Sequence, residues 1–197
     1  YLLLLLVGNY NTYGSTLSTN NIEIANSQES IDYQSMVNKR ISTFKIQLEN
    51  GHKEEAMKSA FTIADMYINY LLNISKAIGY SLEVFKLADE IDNNEYKILS
   101  LQQMAYTHYA WNEIDDAVVH YLEALKIAER IKDEESISNI HIYLASILKE
   151  ELRTKEALVH YEKIMENRGR TKESSKVLLC IGQYYELKGN IDSTFIY

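Results

Sequence analysis

The sequence has no proline, one cysteine and only seven glycines in 197 residues. Without proline, no ring locks φ or removes a backbone N–H, so long uninterrupted helices suit the chain better than a loop-rich β-sandwich. Cys180 alone makes neither an internal disulfide nor a cysteine-based zinc site. The glycines are scattered and never form a G-x-G-x-x-G or G-x-x-x-x-G-K loop of the kind that cradles phosphate. Basic residues are in deficit, with 20 Lys and Arg against 28 Asp and Glu, a net charge of −8. That balance argues against a nucleic-acid surface, which needs clustered positive charge to displace counterions. No apolar run approaches the roughly 20 residues that cross a bilayer.

What is present is helical periodicity. From Ile114 to Ile131, the residues Ile114, Ala117, Val118, Tyr121, Ala124, Leu125, Ala128 and Ile131 recur at three- and four-residue steps and form one apolar stripe. Capping side chains or glycines fall at Asn50-Gly51, Asn73-Ile74-Ser75, Asp92-Asn93-Asn94, Asn112, Lys132-Asp133, Arg153-Thr154, Gly169 and Gly189. They predict helices near 30–50, 53–72, 75–91, 94–111, 114–131, 135–151, 155–167 and 172–188.

The helices repeat in pairs. Ala117-Val118-Val119-His120-Tyr121 is echoed forty residues later by Ala157-Leu158-Val159-His160-Tyr161. In the preceding helices Leu101, Met104, Ala105 and His108 fall onto His141, Leu144, Ala145 and Leu148. A period of 20–50 residues built of helix pairs signals a solenoid, in which each pair buries on its neighbour the apolar face it cannot bury alone. The predicted fold is all-α, a right-handed α-α superhelix of antiparallel helix pairs.

The spacing resembles the tetratricopeptide repeat family in its longer, bacterial-type variant of about forty residues. The resemblance rests on the small residues Ala105, Ala145 and Gly182 in the first helix of each pair and on Ala117 and Ala157 in the second. Tyr121, Tyr161 and the turn glycine Gly189 add to it. It covers residues 53–197, with 30–52 as an N-terminal helix and the last repeat truncated. The family's terminal proline is absent throughout, Asp65 stands in a small-residue place, and Thr194 stands where alanine is usual. An irregular helical bundle is the alternative.

The resemblance implies a concave groove, lined by the first helix of each pair, that takes a peptide or a partner helix. Carried over to this sequence, the groove strip comprises Thr62, Met66 and Asn69, then Gln102, Tyr106 and Tyr109. Asn139, Ile142, Ser146 and Lys149 follow, and Leu179, Gln183 and Glu186 complete it. The strip has no Lys and Arg cluster for an acidic C-terminal carboxylate, so an extended or helical segment of moderate polarity is expected. Sixteen tyrosines are many for this length. A+T-rich coding accounts for them together with the plentiful Asn, Ile and Lys, and rings that line a groove are the sharper reading.

Catalytic chemistry finds no support in the motifs. There is no His-Glu-x-x-His pair and no G-x-S-x-G nucleophile turn. His120 and His160 hold equivalent repeat positions, His108 and His141 fall on the packing face, and His52 lies in a turn. The pairs Glu54-Glu55, Asp115-Asp116, Glu134-Glu135 and Glu150-Glu151 are helix neighbours that point about 100° apart, so they do not face each other across a cleft. Cys180 reads as a buried small hydrophobe. No enzyme activity, cofactor or metal is expected, and the partner is a protein or peptide.

The ends carry the remaining expectations. Leu2–Val7 reads as the apolar part of a clipped export signal, or else as a short segment folded back on the first helices. Asn9–Ser30 reads as a linker, so residues 1–29 form one segment. With a signal, the protein is periplasmic or membrane-anchored; otherwise it is cytoplasmic. A second functional expectation is the sensor region of a membrane-anchored transcriptional regulator or other signalling protein, with its output domain beyond Tyr197. A third makes the repeats an accessory to an enzyme encoded there.

Overall fold

The computed structural model describes residues 22–166 and 175–189, and the side chains of 33–166 and 178–189. Among the described residues eight helices follow one another: α1 (Ile22–Glu49), α2 (Lys53–Asn69), α3 (Ile74–Glu90), α4 (Asn94–Ala110), α5 (Ile114–Ile131), α6 (Glu134–Glu150), α7 (Thr154–Glu166) and α8 (Ser175–Leu187). The chain is an all-α solenoid of antiparallel helix pairs, with no strand among the described residues.

The turns explain the regularity. Leu72, Asp92, Asn112, Lys132 and Leu152 all have positive φ and stand twenty residues apart. At Asp92 the N–H donates to the Asp89 carbonyl, and the next N–H, that of Asn93, donates to the Ala88 carbonyl. The same two bonds recur at Asn112 and Glu113, Lys132 and Asp133, Leu152 and Arg153, and at Gly51 and His52. This is a Schellman closure, which satisfies carbonyls left over at a helix C-terminus. In each case the residue after the left-handed one opens the next helix. Asn73, Asn93 and Asp133 accept from the N–H three residues on, those of Lys76, Tyr96 and Ser136. One residue thus ends a helix and its neighbour starts another.

Helix α1 differs from its reading in the sequence. It starts at Ile22, so residues 22–29, assigned to a linker by their polar composition, are helical. Extending an existing helix fixes one residue per hydrogen bond, whereas starting one costs several, so Asn and Ser are carried along once the rest of α1 has formed. The breaks at Gly169, the predicted start at 172, Leu2–Val7, Thr194 and the segment after Gly189 lie outside the described residues.

Each helix packs on the next in sequence. In addition α2 contacts α4, α4 contacts α6, and α6 contacts α8, whereas α3, α5 and α7 make no such contacts with one another among the described residues. The first helices of the pairs are therefore drawn together and the second helices fan apart, which puts α2, α4, α6 and α8 on the concave side.

Ala77, Ala117 and Ala157 are fully buried where the hairpin helices approach, as are Ala105 and Ala145. The apolar interior falls into two clusters. One joins Val37 and Phe44 of α1 to the inner faces of α2 and α3. The other runs from Ile98 and Leu101 of α4 through Tyr121, Leu144 and Tyr161 to Ile181 of α8. Between them lies a polar seam. Gln103 of α4 is buried and donates from Nε2 to the Phe61 carbonyl (3.1 Å) and to Asp65 Oδ1 (2.7 Å) of α2. Its Oε1 accepts from Ser81 of α3 at 2.9 Å. Ser81 holds the position that Tyr121 and Tyr161 fill in later repeats. The missing ring leaves room for Gln103, whose buried amide is hydrogen-bonded through both its nitrogen and its oxygen.

Candidate binding groove

On the concave side, α2, α4 and α6 enclose a solvent-open cleft of about 90 Å³ above the polar seam. Phe61, Asp65, Ile68 and Asn69 of α2 form one wall. Leu99, Gln102, Gln103, Tyr106 and Tyr109 of α4 form the floor, and Tyr143, Ser146 and Ile147 of α6 face them, with Tyr121 of α5 behind. The volume is well below the 300–1,000 Å³ of a small-molecule site and suits a side chain projecting from another polypeptide.

The rings are held in place. Tyr121 and Tyr143 stack with centroids 5.5 Å apart at 16°, and Phe61 meets Tyr96 edge-on at 5.7 Å. The Tyr109 hydroxyl donates to Glu150 Oε2 of α6. Burial first, and then that carboxylate, push the Tyr109 hydroxyl well above the usual phenol range. Burial likewise raises the Tyr106 hydroxyl, so both phenols are neutral donors at physiological pH.

Asp65 is the charged group of the lining. Burial raises its carboxyl above the ordinary range, partly offset by the bond from Gln103. The folded state holds the proton more tightly than the unfolded chain, so the stability linked to this group is fullest below the ordinary carboxylate range. It is lost as pH rises through the raised value. Asp65→Asn, which keeps an acceptor for Gln103, is therefore expected to raise Tm at pH 7 and to leave it nearly unchanged below the carboxylate range. Thermal melts at the two pH values check this.

Of the strip read from the sequence, Asn69, Gln102, Tyr106, Tyr109 and Ser146 meet at the cleft. Met66 and Ile142 do not: they are 7% and 6% exposed and belong to the two cores. Each first helix is covered by its own partner helix and by neighbouring pairs, which leaves a narrower free strip than an ordinary surface helix has. Thr62 bonds back to the Lys58 carbonyl, Gln183 accepts from the Tyr161 hydroxyl at 2.8 Å, and Lys149 pairs with Glu186 at 3.4 Å. Asn139 and Leu179 are exposed on α6 and α8, outside the cleft. Phe61, Asp65, Ile68, Leu99, Gln103, Tyr121, Tyr143 and Ile147 were not foreseen as lining. Asp65 in a small-residue place was the available signal.

The histidines pair across hairpins. His108 Nδ1 lies 2.6 Å from Glu113 Oε2, closing a turn whose N-cap Glu113 makes no side-chain cap bond of its own. His108, Glu113 and Asp116 bring ligand-type atoms within 4.8 Å of one another, two of the three residues being exposed. His120 stacks on His108 at 5.2 Å, and its buried Nδ1 makes no hydrogen bond, with Glu123 3.5 Å away. One repeat later, His141 and His160 meet Nδ1 to Nδ1 at 2.9 Å. Cys180 is buried. No helix among the described residues is long and apolar enough to cross a membrane.

No family model matches the chain, and no curated protein matches it. Among solved structures it is similar to BtubC (BKLC) from P. vanneervenii, with a TM-score of 0.60 and 14% identity over 90% of this chain and 82% of that one. At that identity the likeness concerns the fold alone.

Proposed function

We propose that this chain is a non-enzymatic interaction scaffold of the tetratricopeptide type, which binds a peptide or partner helix along its concave side. The observation that carries the reading is the cleft between α2, α4 and α6, open to solvent and walled by fixed tyrosine rings and amides. Pre-positioned aromatic rings supply contact area at little entropic cost, and amides beside them pair with a polypeptide backbone. Asn69, Gln102 and Ser146 are such polar groups at the cleft. The small buried residues Ala105, Ala145, Ala117 and Ala157 at hairpin contacts agree with the family reading.

Replacing Tyr106 and Tyr109 together by alanine is expected to weaken partner binding about 10- to 100-fold, the effect of removing two interface anchors of about 0.7–1.4 kcal/mol each. Helical content by circular dichroism should stay as in the parent, since both rings are only half-buried. Collapse of the helical signal would instead assign the two tyrosines to the core, and unaltered binding would move the contact surface elsewhere.

A further inference from the structure

The cleft has a charge character that the groove reading alone does not require. Its lining contains one carboxylate, Asp65, and no Lys, Arg or His. Asp65 makes no ion pair among the described residues, and its hydrogen-bond partner is the neutral amide of Gln103, which engages Oδ1. A partly buried carboxylate without a cation is costly unless something at the site compensates for it. The same lining holds Phe61, Tyr106, Tyr109 and Tyr143, with the buried Tyr121 stacked behind Tyr143. Ring faces are the negative pole of the aromatic quadrupole and attract cations, more strongly where water is excluded. At the α6 end Tyr109 is tied to a second carboxylate, Glu150.

We infer that the cleft is a cation-accepting socket, and that the partner polypeptide inserts a lysine or arginine side chain which pairs with Asp65 against the tyrosine rings. The inference rests on the groove reading and deepens it by naming the chemistry of the anchor. A volume of about 90 Å³ accommodates one such head group with its adjoining methylenes. The net charge of −8 favours the approach of a basic segment. Gln103, held by Ser81 at 2.9 Å, fixes the carboxylate before the ligand arrives. The charge excess that makes Asp65 a burden in the unbound chain is removed by the ligand it serves.

An array of immobilised random-sequence peptides, probed with the full chain, tests this. Peptides retained by the parent and lost with Tyr106→Ala report the groove. Among them the parent should enrich lysine or arginine at one position, with about a tenfold preference over norleucine at that place in resynthesised peptides. Asp65→Asn should erase that preference while peptide binding persists. Groove-dependent peptides with no basic preference, or a preference that survives Asp65→Asn, overturn the socket and leave the groove standing. If no retained peptide depends on Tyr106, the groove itself is overturned and the socket with it.

Discussion

Truncating Tyr161 to alanine is expected to cost about 3–5 kcal/mol, the largest effect of any single change in the second core. The ring is fully buried between α6, α7 and α8, and its hydroxyl donates to Gln183 at 2.8 Å. Tyr161→Phe, which keeps the ring and loses the bond, should cost only about 1 kcal/mol. Because each pair in a solenoid contacts only its neighbours, the loss falls on the C-terminal pairs and not on the whole array. Trp111, the single tryptophan, caps α4 and reports on the middle of the chain. In urea, Tyr161→Ala should therefore lose part of its circular dichroism before Trp111 fluorescence changes. Coincident transitions by both probes would show that the array melts as one unit.

Acid should weaken the protein through the histidine pair of α6 and α7. His141 is 5% exposed. Burial first, then the neighbouring His160 and Lys163, push it down to about 4 from 6.5, with Glu166 pulling the other way. Burial lowers His160 as well. Two imidazoles that meet Nδ1 to Nδ1 share one proton, and charging the acceptor sets two donors against each other. The unfolded chain takes up protons near 6.5 and the folded one only near 4, so the contribution is intact above 6.5 and is lost as pH falls to 4. The window corresponds to a loss of about 2–3 kcal/mol. His141→Leu restores the residue of the preceding repeat, Leu101, and should remove that part of the slope. Urea titrations of parent and variant between pH 4 and 7 provide the comparison, and a difference independent of pH would clear the pair of this role.

The helices and turns were legible because their signals are local. Apolar steps of three and four residues mark the buried stripe of α5, and Asn73, Asn93 and Asp133 cap the helices they precede. The forty-residue echo revealed the stacking, since a helix pair that recurs with the same buried alanines has the same neighbour to bury them on. Even at local range there was a limit: Ile131, read as the last residue of the stripe, is 40% exposed at the end of α5. Tertiary position overrode periodicity there.

The site was legible only in part. Gln102, Tyr106 and Tyr109 are neighbours on one helix, so spacing alone found them. Met66 and Ile142 satisfy the same spacing and lie in the two cores, because burial there is set by how neighbouring helices stack and not by spacing along one helix. What the amino-acid order determined by itself was the number, the ends and the pairing tendency of the helices, all consequences of interactions within about twenty residues. The tertiary structure alone decided which flank of each first helix stays open. It also alone brought Asp65, Ser81 and Gln103 together across gaps of 22 and 38 residues. A carboxylate in an alanine's place is an oddity along the chain, and it becomes a site only where three helices leave a gap beside it.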